Sequence, residues 1–170
     1  MGRVEPRAWV IHCQRKDIRM TDTPAATPTT TIVFLLFPGI TQLDFTAPAQ
    51  ALSRMPGARL AGAAANLDPI MTDSGFAIVP THDFASAPQA DILCIPGGHG
   101  VVDALGDTAT IDFIARQAAN AQWVTSVCTG AFLLGRAGLL DGNRATSHWG
   151  YTHLLPLVGA GPVETCVVDG

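Results

Sequence analysis

Residues 123–130 read W-V-T-S-V-C-T-G. This short, β-branched run stops abruptly at Cys128, and the helix-like apolar pattern A-F-L-L-G-R-A-G-L-L follows directly. That order predicts a strand, a one-residue corner and a helix. A thiol at such a corner stands clear of the sheet, at the positive end of a helix dipole that favours an anion. Cys128 is therefore expected to ionise more readily than a free cysteine. Ser126 and Gly130, two residues before and after it, are small enough for the crowded turn of a nucleophile elbow. Cys94 is the contrast: mid-strand in D-I-L-C-I-P, it reads as a small buried hydrophobe.

The remaining pattern alternates strands with helices. T-I-V-F-L-L-F (31–37) is short, continuously apolar and stopped by Pro38-Gly39, as expected for a strand buried on both faces of a parallel sheet. Further strands are expected at 58–65, 91–95, 124–127, 145–148 and 164–168, with an extended excursion around 68–80. Helices are expected near 47–54, at 108–120 with Ile111, Ile114, Ala115 and Ala118 on one face, at 129–140, and at 151–158. The predicted class is α/β, a three-layer sandwich around a mainly parallel, flavodoxin-like sheet. In such sheets the site lies at the carboxyl ends of the strands. Asp44, Gly97-Gly98 and Cys128 each follow a strand there.

Length and composition fit this class. A chain of 170 residues with 48% hydrophobic and 14% charged side chains suits a single packed domain. It holds no apolar run long enough to span a membrane and no continuous apolar segment of a secretory signal. Cys13, Cys94, Cys128 and Cys166 show no C-x-x-C spacing, so neither a zinc site nor a disulfide framework is suggested, and free thiols fit a reducing cytoplasm. Residues 1–20 carry a net +3 and residues 21–170 a net −7. An acidic body without a basic face argues against nucleic-acid binding by this segment. Met20 opens a polar, Pro/Thr-rich leader. Residues 1–30 are thus expected to be an extension outside the folded domain, which spans 31–170.

A thiolate that attacks an electrophilic carbon needs three kinds of help: a stabilised charge, donors for developing negative charge, and a proton carrier. The helix after Cys128 can serve the first need. Backbone N–H groups at Gly97, Gly98 or Thr129 can serve the second, since glycine permits close backbone approach. Asp44, in I-T-Q-L-D-F-T-A-P, is the candidate for the third. Away from water and near a thiolate, its carboxyl should hold a proton near neutrality and act as general acid. The bland alternatives are a helix N-cap for Asp44, a plain turn for Gly97-Gly98, a hydrogen-bonded structural role for His148 instead of a base, and a surface-loop position for His99.

Taken together, F-L-L-F-P-G-I-T-Q-L-D-F-T-A-P, D-I-L-C-I-P-G-G-H-G, V-T-S-V-C-T-G-A-F-L-L-G-R-A-G-L-L-D-G and R-A-T-S-H-W resemble the ThiJ/PfpI superfamily, which has the class I glutamine-amidotransferase-like fold. Within it the chain most resembles the isocyanide hydratase branch. The resemblance covers roughly residues 31–170. It implies cofactor-independent addition of water to R–N≡C, giving an N-substituted formamide. Cys128 would attack the isocyanide carbon, and Asp44 would supply a proton, giving a thioimidate, and help activate water. The Thr129 hydroxyl would orient Asp44 or the thiol. A small-molecule substrate and a homodimer are implied, and no cofactor or metal. Ala47 stands where the branch commonly has glycine. Thr129 stands where peptidase-like members carry histidine, which argues against that activity. Relatives continue beyond the position of Gly170, so the domain is expected to be C-terminally truncated. Two other functions fit the resemblance. One is the ligand-sensing part of an AraC-type transcription regulator, against which the carboxylate of L-D-F-T-A-P argues. The other is a redox-responsive thiol protein in which Cys128 oxidises to a sulfinate.

Overall fold

The computed structural model describes residues 29–168; the expectations for Cys13 and for the segment 1–28 lie outside them. Five parallel strands form the central sheet: β1 (Thr30–Leu35), β2 (Ala58–Ala64), β5 (His82–Asp83), β6 (Ile92–Ile95) and β7 (Trp123–Ser126), in the order β5-β2-β1-β6-β7. The strand at the centre is β1, and period-two alternation explains its continuous apolar run. Val33 and Leu35 join the larger core, against α3 (Thr108–Ala118) and α4 (Gly130–Arg136). Ile32 and Phe34 face the other way, where with Cys94 they pack on Phe45, Ala49 and Leu52 of α1 (Gln42–Leu52). The sheet thus lies between helical layers, with α2 (Val101–Ala104) on the α4 side. A short antiparallel hairpin, β3 (Ile70–Met71) and β4 (Ala77–Ile78), occupies the predicted excursion. The pair β8 (Arg144–Ala145) and β9 (Gly161–Pro162) flanks a 3-10 helix at Thr152–Val158.

Several boundaries differ from the sequence pattern, each for a physical reason. The first helix starts at Gln42, not near Ala47. Pro48, which resembles a helix-start proline, lies inside α1 and supplies no N–H to the Asp44 carbonyl one turn earlier. The helix after the elbow ends at Arg136, not Leu140, because Gly138 takes a left-handed conformation (φ 76°) that closes it. β7 ends at Ser126, one residue before the expected Val127. Of the expected 145–148 strand only Ala145 is in one, β8 being Arg144–Ala145, and 164–168 is not a strand. The latter has apolar character but no neighbouring ladder to satisfy its backbone, and pattern alone cannot provide a partner.

On α3 the expected face is rotated. Asp107 caps the helix by accepting the Ala109 N–H (3.2 Å) and the Thr110 hydroxyl (2.6 Å). The buried face is Thr110, Ile111, Phe113, Ile114 and Gln117, while Ala115 is exposed and Ala118 half-buried. Gln117 is accommodated because its Oε1 accepts the Ala90 N–H (2.8 Å) and its Nε2 donates to the Pro88 carbonyl (2.9 Å). Phe113 is fully buried and stacks on Phe84 with ring centroids 4.3 Å apart. Phe113→Ala should therefore destabilise the fold by about 3–5 kcal/mol, read as a lower urea midpoint at unchanged slope.

Candidate active site

Cys128 occupies the corner between β7 and α4 at φ 55°, the one positive-φ non-glycine among the described residues. That conformation costs on the order of 1–3 kcal/mol and persists only where the surroundings hold it. Here the Ser147 hydroxyl donates to the Cys128 carbonyl (3.0 Å), and the Gly130 N–H donates to the Val127 carbonyl (2.9 Å). A Cβ at Gly130 would collide with the carbonyl oxygens of Ile95 and Pro96. Only glycine lets α4 begin so close to β6, which is the steric demand read from the sequence.

Asp44 reaches the same corner from the other side. It is the third residue of α1, so it is not the helix N-cap; that position is Thr41. The Thr41 N–H donates to the Gly97 carbonyl (2.9 Å), and the Asp44 N–H donates to the Thr41 carbonyl (3.0 Å). The Gly97 N–H donates in turn to Asp44 Oδ2 (3.3 Å). These links join the loops after β1 and β6 and hold the carboxyl beside the thiol, near enough for each group to shift the other's ionisation. Gly98 donates its N–H to Thr129 Oγ1 (3.0 Å). In the resting site the two glycine amides, expected to receive developing negative charge, donate to Asp44 and Thr129. A Cβ on Gly97 would lie 2.6 Å from the Thr129 nitrogen and 2.9 Å from the Cys128 Cβ. Gly97→Ala should displace the elbow and destabilise the protein by about 1–3 kcal/mol, seen as a lower melting temperature.

The electrostatics correct one expectation. Burial pushes the Cys128 thiol up from its ordinary value, and the neighbouring Asp44 carboxylate adds to this. The Thr129 N–H and hydroxyl favour the thiolate but are outweighed. With α4 only Gly130–Arg136 long, its amino end does not overcome a half-buried, anion-facing site. Burial likewise raises the Asp44 carboxyl, opposed by hydrogen bonds from Cys128 and Gly97. Asp73 raises it further, and His148 lowers it. Each of the two acids thus resists ionisation beside the other.

Of the other candidates, His148 acts on Asp44 through its charge, while His99 and Cys94 take no part in the pair. His148 receives the Gly150 N–H on Nδ1 (3.2 Å), and its ring sits against Trp149 and Tyr151. His99 is exposed and Cys94 is buried. An apolar cleft of about 270 Å³ opens beside Asp44, lined by Pro48, Leu52, Ile95, Pro96 and Val127 among others. A larger cleft, about 680 Å³, runs along β7 and α4 but includes neither Asp44 nor Cys128. Sequence reasoning missed Ser147, for which there was no local signal. It also missed Thr41, whose residue type immediately before Q-L-D-F marks a possible helix cap.

The DJ-1/PfpI family pattern matches residues 30–170. The chain is 48% identical over 140 residues to the isonitrile hydratase of Pseudomonas putida, an overlap of 82% of this chain and 61% of that enzyme. It thus spans less than two thirds of that relative's length. A crystal structure of a ThiJ/PfpI family protein from Pseudomonas syringae superposes with a TM-score of 0.81 at 37% identity, covering 89% of this chain and 67% of that one. The HTH-type transcriptional regulator GbdR of Pseudomonas aeruginosa is 32% identical over 80 residues, which is 47% of this chain and 22% of the regulator. A parallel five-stranded sheet with a strained cysteine elbow, matched along its whole described length, places the chain in the DJ-1/PfpI family.

Proposed function

We propose that this site hydrates isocyanides to N-substituted formamides without a cofactor. The observation that carries the reading is the neighbouring Cys128 thiol and Asp44 carboxyl, with an apolar cleft opening beside Asp44. Its chemical partner is a small, uncharged electrophile whose substituent that cleft can take. The similarity to the Pseudomonas putida isonitrile hydratase supports the same reaction class.

An isocyanide carbon accepts both a nucleophile and a proton, and the pair holds both. Cys128 Sγ attacks the terminal carbon while Asp44 takes the thiol proton and delivers it to the same carbon. The product is a thioimidate, R–N=CH–S–Cys128. Asp44, again a carboxylate, then removes a proton from water as its oxygen adds to the C=N carbon, and the nitrogen gains that proton. The C–S bond breaks as the carbonyl forms, which releases R–NH–CHO and restores the shared proton. Thr129 steadies the sulfur through its N–H and hydroxyl, and Gly97 keeps the carboxyl in line. Neither step needs an oxidant or a metal to balance.

The test is to mix the purified full-length chain with a simple alkyl isocyanide and follow the formamide proton by NMR. Mass spectrometry of the quenched protein should show Cys128 heavier by the mass of the isocyanide. Absence of both product and adduct would overturn the assignment.

A further inference from the structure

We propose that Asp73, at the turn of the β3–β4 hairpin, is a positioning residue for Asp44: it clamps the residue that starts α1 and presents a fixed carboxylate to the Cys128–Asp44 pair. Its effect on turnover rests on the hydratase reading; its effect on Asp44 itself does not.

The start of α1 has the pattern of a capping box but not its bonds. In T-x-x-D, the threonine hydroxyl ordinarily accepts a first-turn N–H, and the acid reaches back to the threonine N–H. Thr41 makes no such side-chain cap. Its hydroxyl donates instead to Asp73 Oδ2 (2.5 Å), and its N–H goes to the Gly97 carbonyl. Asp44, released from capping, takes the Gly97 N–H and stands beside the Cys128 thiol. Asp73 therefore holds the group whose diversion frees the reactive carboxyl.

The hairpin that presents Asp73 is well braced. Thr72 is buried, and its hydroxyl donates to the Phe76 carbonyl (2.8 Å) and accepts the Phe76 N–H (3.2 Å). The Asp73 N–H donates to the Ile40 carbonyl (3.0 Å), and the Gly39 N–H donates to the Met71 carbonyl (2.9 Å). The titratable groups facing Asp44 are Cys128 from the elbow, Asp73 from the hairpin and His148 from the segment after β8. Of these Asp73 favours the protonated carboxyl, while His148 and the thiol hydrogen bond oppose it.

Two substitutions separate clamp from charge. Asp73→Asn keeps an oxygen for the Thr41 hydroxyl and removes the charge; Thr41→Val keeps the charge and removes the bond. The Asp44 carboxyl is titrated by ¹³C NMR, its signal assigned by loss in Asp44→Asn, with no substrate present. Asp73→Asn should move the Asp44 midpoint to lower pH. Because Asp73 is exposed, the difference should shrink in about 1 M salt. On the acid limb of turnover this variant should exceed the parent about twofold at unchanged KM. Thr41→Val should speed hydrogen exchange of the Asp44 amide about tenfold in an otherwise folded chain. An unmoved Asp44 midpoint overturns the charge role, and unchanged exchange overturns the clamp. Isocyanide turnover that is absent throughout would count against the hydratase reading alone.

Discussion

Cys128→Ala is expected to reduce formamide production to background, a loss on the order of 10³-fold or more, because no other group at the corner can form the covalent intermediate. Cys128→Ser should be nearly as inactive: its hydroxyl is a far weaker acid than a thiol, and Asp44 cannot draw its proton off as readily. The same position offers a separate readout. Alanine keeps a Cβ at φ 55°, whereas glycine adopts that conformation without strain. Cys128→Gly should therefore melt higher than Cys128→Ala, by roughly 1 kcal/mol in unfolding free energy. Turnover that survives in either variant would remove the sulfur from the mechanism, and equal melting of the two would remove strain from the elbow.

Asp44→Asn is expected to lower kcat by roughly 10²–10⁴-fold while the fold stays intact, since the amide oxygen still accepts the Gly97 N–H but cannot relay a proton. The parent should show a bell-shaped pH profile. Below the lower limb the pair carries two protons and the carboxyl cannot accept the thiol's; above the upper limb it carries none to deliver. Stability should follow with a defined sign. The Asp44 carboxyl titrates above its ordinary value of 3.8 in the folded chain, chiefly through burial. Folding therefore favours its protonated form, and the parent loses stability as pH rises from that ordinary value through the folded one. Asparagine carries no such penalty. Relative to the parent, Asp44→Asn should gain stability between acid and neutral pH, and the gain should vanish below the ordinary carboxylate range. Thermal melts at acid and neutral pH check this. A variant that loses stability relative to the parent as pH rises would contradict the raised carboxyl.

How much of this could be read in advance differs from residue to residue. The run 31–37 carried its own assignment, because six consecutive hydrophobes, Ile32 to Phe37, stopped by Pro-Gly suit a short strand covered on both faces. The elbow was legible for a similar reason: small residues at 126 and 130 around Cys128 mark a turn where larger side chains collide, and the Gly130 contacts bear this out. The acidic partner was legible as a residue but not as a position. Asp44 could be read as a cap because its residue type suits one and the helix was expected near 47–54, while the helix begins at Gln42 with Thr41 as its cap. The acceptors that the Gly97 and Gly98 amides have in the resting site, Asp44 and Thr129, had no signal in the linear pattern.

The linear chain by itself determined the main strands and helices, the corner cysteine and the parallel α/β class, since period, β-branching and turn residues act over a few neighbours; the short strands and the fate of 164–168 were left to tertiary partners. Only the tertiary structure decided which groups meet and which protons they hold. Asp44, Gly97 and Cys128 come together because β1, β6 and β7 are neighbours whose carboxyl ends lie side by side, while Ser147 arrives from the segment after β8 and Asp73 from a hairpin. The ionisation of Cys128 depends on the sum of burial, a facing carboxylate and two Thr129 donors. A local pattern holds only the helix end, the smaller part of that sum.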